Sequence, residues 1–288
     1  MREVAALPVL NDHGQPVVRA AINGVPVAFI VDTGARISTI FEGPTSALGL
    51  PVSFDARHIL VGTGGAVFAR DATIRSLTLG DTIAHDVAFA SAGTLYGTVD
   101  GLPVVGLFGG DFLASYDVEF DLPAHRVSLY QEHGCSGHLR PWPGDFYRLP
   151  FALENDTEID ITMMLDGNAI PAVLDSGAGR TMLDRMAGRA GGATDNSMAT
   201  DRRIVGVGID GNRNIMHVHR FDRFEIGPER FAPAFLVVGD AGVSLLGADY
   251  FRARRVWISY PHEVAYVQRV SVATPPAAPV RPRAQGSS

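Results

Sequence analysis

The sequence predicts an all-β protein in which two β-barrel-like lobes, with a few short helices, face each other across a cleft and are related by a pseudo-twofold axis. The first observation is a pattern that occurs twice. An aspartate leaves an apolar strand and is followed by a hydroxyl residue, a glycine and an alanine, at 32–35 and again at 175–178. The second is composition, because 46% apolar residues with 32 Gly and 18 Pro suit many short strands joined by tight turns.

A hairpin is predicted immediately before each aspartate. In the first half, an alternating strand at Val17–Ile22 is followed by Asn23-Gly24 and by a returning apolar strand at Val25–Val31. Asn-Gly and Asp-Gly pairs favour two-residue turns because both positions tolerate positive φ. The second half repeats this order with a strand at 159–165, the turn Asp166-Gly167 and a strand at 169–174.

Further segments recur in the same order after each aspartate. The matched pairs are a glycine-rich segment at 60–65 and 204–209, an apolar segment ending in Gly and Asp at 105–112 and 243–250, and two closing strands around a Pro turn at 118–130 and 256–267. Short helices are predicted near 44–48 and over 180–190, the second because Leu183, Met186 and Ala187 have helical spacing. This ordered recurrence predicts an internal duplication.

The two aspartates are the candidate catalytic residues. One Asp-Thr-Gly or Asp-Ser-Gly triplet is weak evidence, since these residue types are common in turns. Two such triplets in facing lobes would bring Asp32 and Asp175 together. Carboxylates about 3 Å apart cannot both ionise cheaply, so the pair retains a proton and can activate a water between its members. This chemistry needs no metal, no cofactor and no covalent intermediate.

These motifs resemble those of a known family. Each half resembles one subunit of a retropepsin, and the whole resembles a two-lobed, pepsin-type aspartic protease in a single chain, over residues 5 to about 268. The resemblance rests on Asp-Thr-Gly-Ala at 32–35, Asp-Ser-Gly-Ala at 175–178, the glycine-rich segments and the later Gly followed by Asp. It implies a bilobal aspartic-protease fold, a substrate cleft between the lobes, and peptide-bond hydrolysis by Asp32 and Asp175.

Neighbouring residues are expected to support this pair and to cover the substrate. Gly34 and Gly177 would let backbone amides approach the carboxylates, and Thr33 and Ser176 would reach across to the opposite lobe. The glycine-rich segments would close as flaps over an extended peptide or unfolded protein and bond its backbone like an added strand. The flap residues so identified are Gly62, Thr63, Gly64, Gly65, Gly206, Val207 and Gly208.

The chain departs from the family pattern at several positions. Pepsin-like enzymes carry Ser or Thr where this chain has Ala35 and Ala178, and the first glycine-rich segment lacks their flap Tyr. Retropepsins place an acidic residue where Arg36 and Gly179 stand, and an Arg at the positions of Gly110 and Ala248. Arg36 with Asp111 is a candidate for a reversed version of that ion pair. Substrate preference and the contacts between lobes therefore do not follow from the resemblance.

We predict a first lobe at 1–135, a linker at 136–145, a second lobe at 146–270 and a disordered Pro/Ala-rich tail at 271–288. A monomer is expected because one chain carries both aspartates. Cys135 is the single cysteine, so no disulfide joins the lobes.

The start of the chain lacks the apolar region of a signal peptide, and no apolar run is long enough to span a membrane. These features favour the cytoplasm, or the periplasm or secretion if a leader was removed.

The sequence does not support a nucleic-acid, metal or dinucleotide site. The net charge of −7 does not favour nucleic-acid binding. His217 and His219 lie on one face of a strand, as metal ligands can, but no third ligand is recognisable and a polar strand face is the better interpretation. The segment at 206–211 matches G-x-G-x-x-G without opening a helix, so no dinucleotide site is predicted.

The sequence therefore predicts an aspartic endopeptidase, with two alternatives left open. A peptide-binding module could keep the fold without catalysis. A non-proteolytic enzyme could use the same pair of carboxylates for acid–base work on a small molecule, because a fold does not determine a function.

Overall fold

The computed structural model describes residues 1–62, 64–94, 97–131, 140–209 and 211–270, and at 55–57 the backbone alone. The expectations for Thr63, Cys135, linker residues 136–139 and the tail at 271–288 lie outside these ranges. The described chain folds into three β-sheets, one in each half and a third that takes strands from both. The predicted bilobal all-β fold is confirmed.

The first lobe contains the predicted hairpin before Asp32. Its elements are β1 (Arg2–Pro8), β2 (Val17–Ile22), β3 (Val25–Val31), β4 (Thr39–Ile40), α1 (Glu42–Ala47), β5 (Val52–Gly62), β6 (Gly65–Leu79), β7 (Thr82–Ser91), β8 (Thr98–Val99), β9 (Leu102–Phe108), α2 (Gly110–Leu113), β10 (Asp117–Asp121) and β11 (Arg126–Gln131). Asn23 and Gly24 turn the hairpin with φ values of 51° and 82°, as a two-residue turn requires. The sheet runs in the order β2-β3-β9-β4-β7-β6-β5, with β8 beside β9.

The second lobe repeats this succession of elements. They are β12 (Tyr147–Pro150), β13 (Ala152–Glu154), β14 (Glu158–Leu165), β15 (Asn168–Leu174), β16 (Met182–Asp184), α3 (Arg185–Ala190), β17 (Arg202–Val207), β18 (Arg213–Phe221), β19 (Phe224–Ile226), β20 (Glu229–Phe231), β21 (Ala234–Gly239), β22 (Ser244–Leu246), α4 (Ala248–Phe251), β23 (Arg254–Ser259) and β24 (Val264–Arg269). Asp166 and Gly167 turn its hairpin with φ values of 47° and 89°. The sheet order is β17-β18-β21-β16-β22-β15-β14-β19-β20, with β13 beside β14.

A six-stranded sheet joins the lobes, in the order β1-β11-β10-β23-β24-β12. At its centre β10 of the first half pairs antiparallel with β23 of the second, so that Val118 lies opposite Ile258. The inward side chains of both strands belong to one apolar core that extends into both lobes. The closing strands predicted for each half are therefore shared structure that fixes the lobes relative to each other.

The helix predicted over 180–190 is wrong in its first part. Met182 and Leu183 belong to β16 and pair with Val237 and Val238 of β21, and α3 begins only at Arg185. Asp184 marks this start, because its carboxylate accepts a hydrogen bond from Met186 N at 2.8 Å. The apolar residues that suggested one helical face are divided between a strand and a short helix. The other predicted helix lies at Glu42–Ala47.

All the helices in the described ranges are too short to cross a membrane as an apolar span.

Candidate active site

The two aspartates follow equivalent strands of the two lobes. Asp32 comes directly after β3, which runs parallel to β9, and its N–H donates to Phe108 O at 3.0 Å. Asp175 comes directly after β15, which runs parallel to β22, and its N–H donates to Leu246 O at 2.9 Å. Both loops therefore leave a buried parallel pair at the same point. Both aspartates lie half-buried on the floor of the cleft.

Backbone amides hold one oxygen of each carboxyl group. Asp32 Oδ1 accepts hydrogen bonds from the N–H groups of Gly34 and Ala35, both at 3.0 Å. Asp175 Oδ1 accepts them from Gly177 and Ala178 at 2.8 and 2.9 Å. These bonds orient the carboxyl groups and favour their ionised forms.

The two loops approach so closely that each needs its glycine. A Cβ placed on Gly34 would overlap the carboxyl group of Asp175, and a Cβ on Gly177 would overlap that of Asp32. Each glycine thus packs against the aspartate of the opposite lobe. Any larger residue at either position would push the two carboxyl groups apart.

Thr33 and Ser176 link the loops through four hydrogen bonds. Thr33 Oγ1 donates to Leu174 O at 2.6 Å and accepts from Ser176 N at 3.0 Å. Ser176 Oγ donates to Val31 O at 2.7 Å and accepts from Thr33 N at 3.0 Å. Both side chains are fully buried, so this network fixes the separation of the two aspartates.

The environment favours retention of a proton by the pair. Burial raises the pKa of Asp32 well above its ordinary value, and the negative charge of Asp175 raises it further. Burial also raises the pKa of Asp175, against the lowering effects of the Ala178 amide, the hydrogen bond from Asp32 and the Gly177 amide. The two carboxyl groups share a hydrogen bond and titrate as a unit.

Sequence reasoning missed a second pair of carboxylates that supports these loops. Asp111 Oδ1 accepts hydrogen bonds from Ser38 N and Oγ at 2.8 and 2.6 Å. In the second lobe Asp249 Oδ1 accepts them from Thr181 N and Oγ1 at 2.8 and 2.7 Å. The sequence does contain a signal for these bonds, because Ser38 follows Asp32 at the same distance as Thr181 follows Asp175.

Arg36 and Asp111 do not form the reversed ion pair considered above. The Asp111 carboxylate bonds to Ser38, while the side chain of Arg36 is exposed. Asp111 and Arg36 are joined only through the backbone, where Asp111 N donates to Arg36 O at 3.1 Å.

A cleft of about 790 Å³ lies above the aspartates, and hairpins from both lobes reach it. Of the predicted flap residues, Gly62, Gly206, Val207 and Gly208 line the cleft. Gly64 and Gly65 belong to the first hairpin but are not among the cleft-lining residues that the structure describes.

The tip of the second-lobe hairpin touches the first lobe. Ile209 O accepts a hydrogen bond from Thr94 N at 3.3 Å. The Ile209 side chain lies so close to Gly62 and Gly93 that a Cβ at either glycine would collide with it. Ile209 also packs against an apolar cluster of the first lobe that includes Leu107. This contact closes the cleft from above.

The histidine pair is not arranged as a metal site in the described part of the chain. His219 Nδ1 lies 2.6 Å from Asp201 Oδ2, and His217 Nδ1 is buried without a hydrogen-bond partner. The one group of potential ligand atoms found in the described ranges is a trio of carboxylates, Glu154, Glu158 and Asp160. Acidic clusters of this kind are common without a bound ion.

Comparison with known proteins agrees with this geometry. The family model described as aspartyl protease matches residues 18–112, which include Asp32 and the first flap. The structure is similar to the crystal structure of aspartic proteinase from Irpex lacteus, with a TM-score of 0.54 and 13% sequence identity, covering 95% of this chain and 99% of that one. No curated protein sequence matches the chain significantly. The chain thus has the two-lobed fold of an aspartic protease, and its first lobe carries the sequence features of the aspartyl protease family.

Proposed function

We propose that the protein is an aspartic endopeptidase that hydrolyses peptide bonds with a water activated by Asp32 and Asp175. The observation that carries this proposal is the close approach of the two aspartate loops on the cleft floor, where each glycine packs against the carboxyl group of the opposite lobe. Burial raises the pKa of both carboxyl groups. The network of Thr33 and Ser176 and the close packing of Gly34 and Gly177 hold the pair in place. Such a pair is suited to proton transfer in both directions at one reacting centre.

The reaction begins with one proton held between the carboxyl groups. The ionised carboxylate removes a proton from the water, whose oxygen forms a bond to the carbonyl carbon of the peptide. The protonated carboxyl group donates its proton to the carbonyl oxygen, which gives a neutral gem-diol. The carboxyl group that is now protonated gives its proton to the amide nitrogen, while the other carboxylate takes a proton from a gem-diol hydroxyl. The carbon–nitrogen bond breaks, an amine and a carboxylic acid are released, and the pair again holds one proton.

The substrate in this proposal is an extended peptide or an unfolded protein segment. The cleft-lining backbone at Gly62 and at 206–208 would bond such a chain as an added strand. Entry requires separation of Ile209 from Gly62 and Gly93, so we expect the second hairpin to open and close during each cycle. Since one chain provides both aspartates, we also propose that it works as a monomer, and that the two halves arose by duplication.

Cleavage of an unfolded protein tests the proposal. We expect cleavage inside the chain, and inhibition by a peptidomimetic with a central hydroxyl in place of the scissile carbonyl, because that hydroxyl mimics the gem-diol. Inhibitor binding without cleavage of any peptide would instead indicate a peptide-binding module. If the protein neither cleaves a peptide nor binds the inhibitor, acid–base chemistry on a small molecule would be favoured.

The pH dependence should respond to the residue after each triplet. A hydroxyl at Ala35 and Ala178 could donate a hydrogen bond to the ionised pair, and such bonds lower a carboxyl pKa. Without them, and with burial raising both pKa values, we expect a mildly acidic optimum. Ala35→Ser with Ala178→Ser should shift the acid limb of the kcat/KM profile to lower pH, whereas Ala→Gly variants should not. An unchanged limb in the Ser variant would contradict this explanation.

A further inference from the structure

Two arginines, Arg180 and Arg252, line the cleft that holds the aspartates. They lie in the same region of it, because Gly179 packs against Gly14, whose carbonyl oxygen accepts hydrogen bonds from Arg252. The side chain of Arg180 is exposed and has no hydrogen-bond or ion-pair partner among the residues that the structure describes. An unpaired guanidinium that faces a substrate cleft is available to an anionic group of the ligand.

Arg252 is held in position by the opposite lobe. Its Nε and Nη2 donate to Gly14 O at 3.3 and 2.8 Å, and its Nη1 donates to Asn11 O at 3.1 Å. Carbonyl oxygens carry no net charge, so these bonds orient the guanidinium and leave its positive charge unneutralised. Because they use three of its five N–H groups, others remain for a ligand.

Two acidic residues, Asp12 and Asp249, lie near these arginines, and neither forms a salt bridge with Arg180 or Arg252. Asp12 is exposed, and its Oδ1 lies 3.6 Å from His125 Nδ1. Besides the paired aspartates, Asp249 is the acidic residue that lines the cleft. Its Oδ1 already accepts hydrogen bonds from Thr181 and from Tyr250 N. The other polar side chains that line this part of the cleft are His13 and Gln15, both able to donate hydrogen bonds.

The first lobe has no arginines at the positions equivalent to these two. The positions that correspond to Arg180 and Arg252 in the first lobe are Ile37 and Ala114. The positive charge of Arg180 and Arg252 is therefore not repeated at the equivalent positions of the first lobe.

We propose that Arg180 and Arg252 form a subsite that binds a carboxylate of the peptide substrate, either an Asp or Glu side chain or the C-terminal carboxylate. This inference rests on the proposed function, because it names a preference of the same cleft. A partly exposed charge-assisted contact of this kind is worth about a fivefold to tenfold change in affinity.

Binding of uncleaved ligands tests the subsite without requiring turnover. The probes are hydroxyl-centred peptidomimetics in which Gln is replaced by Glu at one position at a time, each with either an amidated or a free C-terminus. Calorimetry should find one Glu position, or the free terminus, that binds about tenfold more tightly than its neutral match. Raising the salt concentration from about 0.1 M to about 1 M should weaken that preference.

Arg180→Gln should remove the preference, and Arg180→Glu should reverse it in favour of Lys at the same position. Arg36→Gln is the matched control, since it also removes an exposed arginine near the aspartates but one that does not line the cleft, and it should keep the preference. Arg252→Lys should weaken the preference, because an ammonium lacks the planar group of five donors with which Arg252 bonds Gly14 O and Asn11 O and still presents N–H groups to a ligand.

The outcomes separate this inference from the proposed function. Equal binding of Glu and Gln ligands by the native protein, no binding of any probe, or a preference that survives Arg180→Gln would each overturn the subsite. Peptide cleavage without an acidic preference would overturn the subsite alone. Acid-selective binding that depends on Arg180, in a protein that cleaves no peptide, would support the subsite and overturn the endopeptidase.

Discussion

Asp32→Asn and Asp175→Asn are each expected to lower turnover by about 10⁴-fold, because a positioned acid–base group contributes up to about that factor. An amide cannot take the proton from water or return it to the leaving nitrogen, although it fills the same space. Both variants should fold, since the network of Thr33 and Ser176 and the bonds from Gly34 and Gly177 to Oδ1 do not need the charge. The measurement is kcat/KM on a peptide substrate, with circular dichroism as the control for folding.

The same variants should stabilise the protein near neutral pH. The folded-state pKa values of the pair are raised by burial, so between the unfolded and folded pKa values the folded protein binds more protons than the unfolded chain. Stability of the native protein therefore falls as pH rises through that window, and an amide avoids this loss. Thermal unfolding should show a higher Tm for Asp32→Asn above the window and little difference below about pH 3.9.

Retention of more than about a tenth of native activity by either variant would rule out the shared-proton mechanism.

Separation of the two halves should abolish activity. Residues 1–137 and 138–288, expressed apart, each hold one aspartate and half of the network between Thr33 and Ser176. Each also loses its partner across β10 and β23 in the joining sheet. Glu119 would lose Arg255, whose Nη2 donates to its Oε1 at 2.5 Å, and the buried apolar residues of β10, Val118 and Phe120, would be exposed to water.

Mixing the halves should at best restore part of the activity, and that activity should fall on dilution. The intact chain should keep constant activity per molecule over the same dilution series, because its lobes are already joined. A native specific activity that falls on dilution in step with dissociation of a dimer, followed by analytical ultracentrifugation, would contradict the monomer model.

The parts of the fold that depend on neighbours in sequence could be predicted. The hairpin turns at Asn23-Gly24 and Asp166-Gly167 follow from residue types that accept positive φ. The six-stranded sheet could not be predicted this way, since the partner of Val118 is Ile258 and no local pattern specifies a pairing over that distance. The start of α3 was missed because tertiary pairing places Leu183 in a strand despite its helical spacing.

The candidate site also contains some features that could be predicted from the sequence and others that could not. The duplicated triplets identified Asp32 and Asp175, because a repeat marks equivalent positions in equivalent lobes. The supporting bonds of Asp111 to Ser38 and of Asp249 to Thr181 join residues far apart in sequence. The contact of Ile209 with the first lobe depends on how a hairpin tip crosses the cleft, which no residue pattern reports.

Because both lobes belong to one chain, the two sides of the cleft need not be alike. In a symmetric homodimer every residue appears twice, so an arginine placed at one end of the cleft is also present at the other. Here Arg252 has Ala114 as its counterpart, and Arg180 has Ile37. Such a cleft can distinguish the direction in which a peptide runs through it. In the proposed endopeptidase, an acidic residue of the substrate would then select one of the two directions of binding.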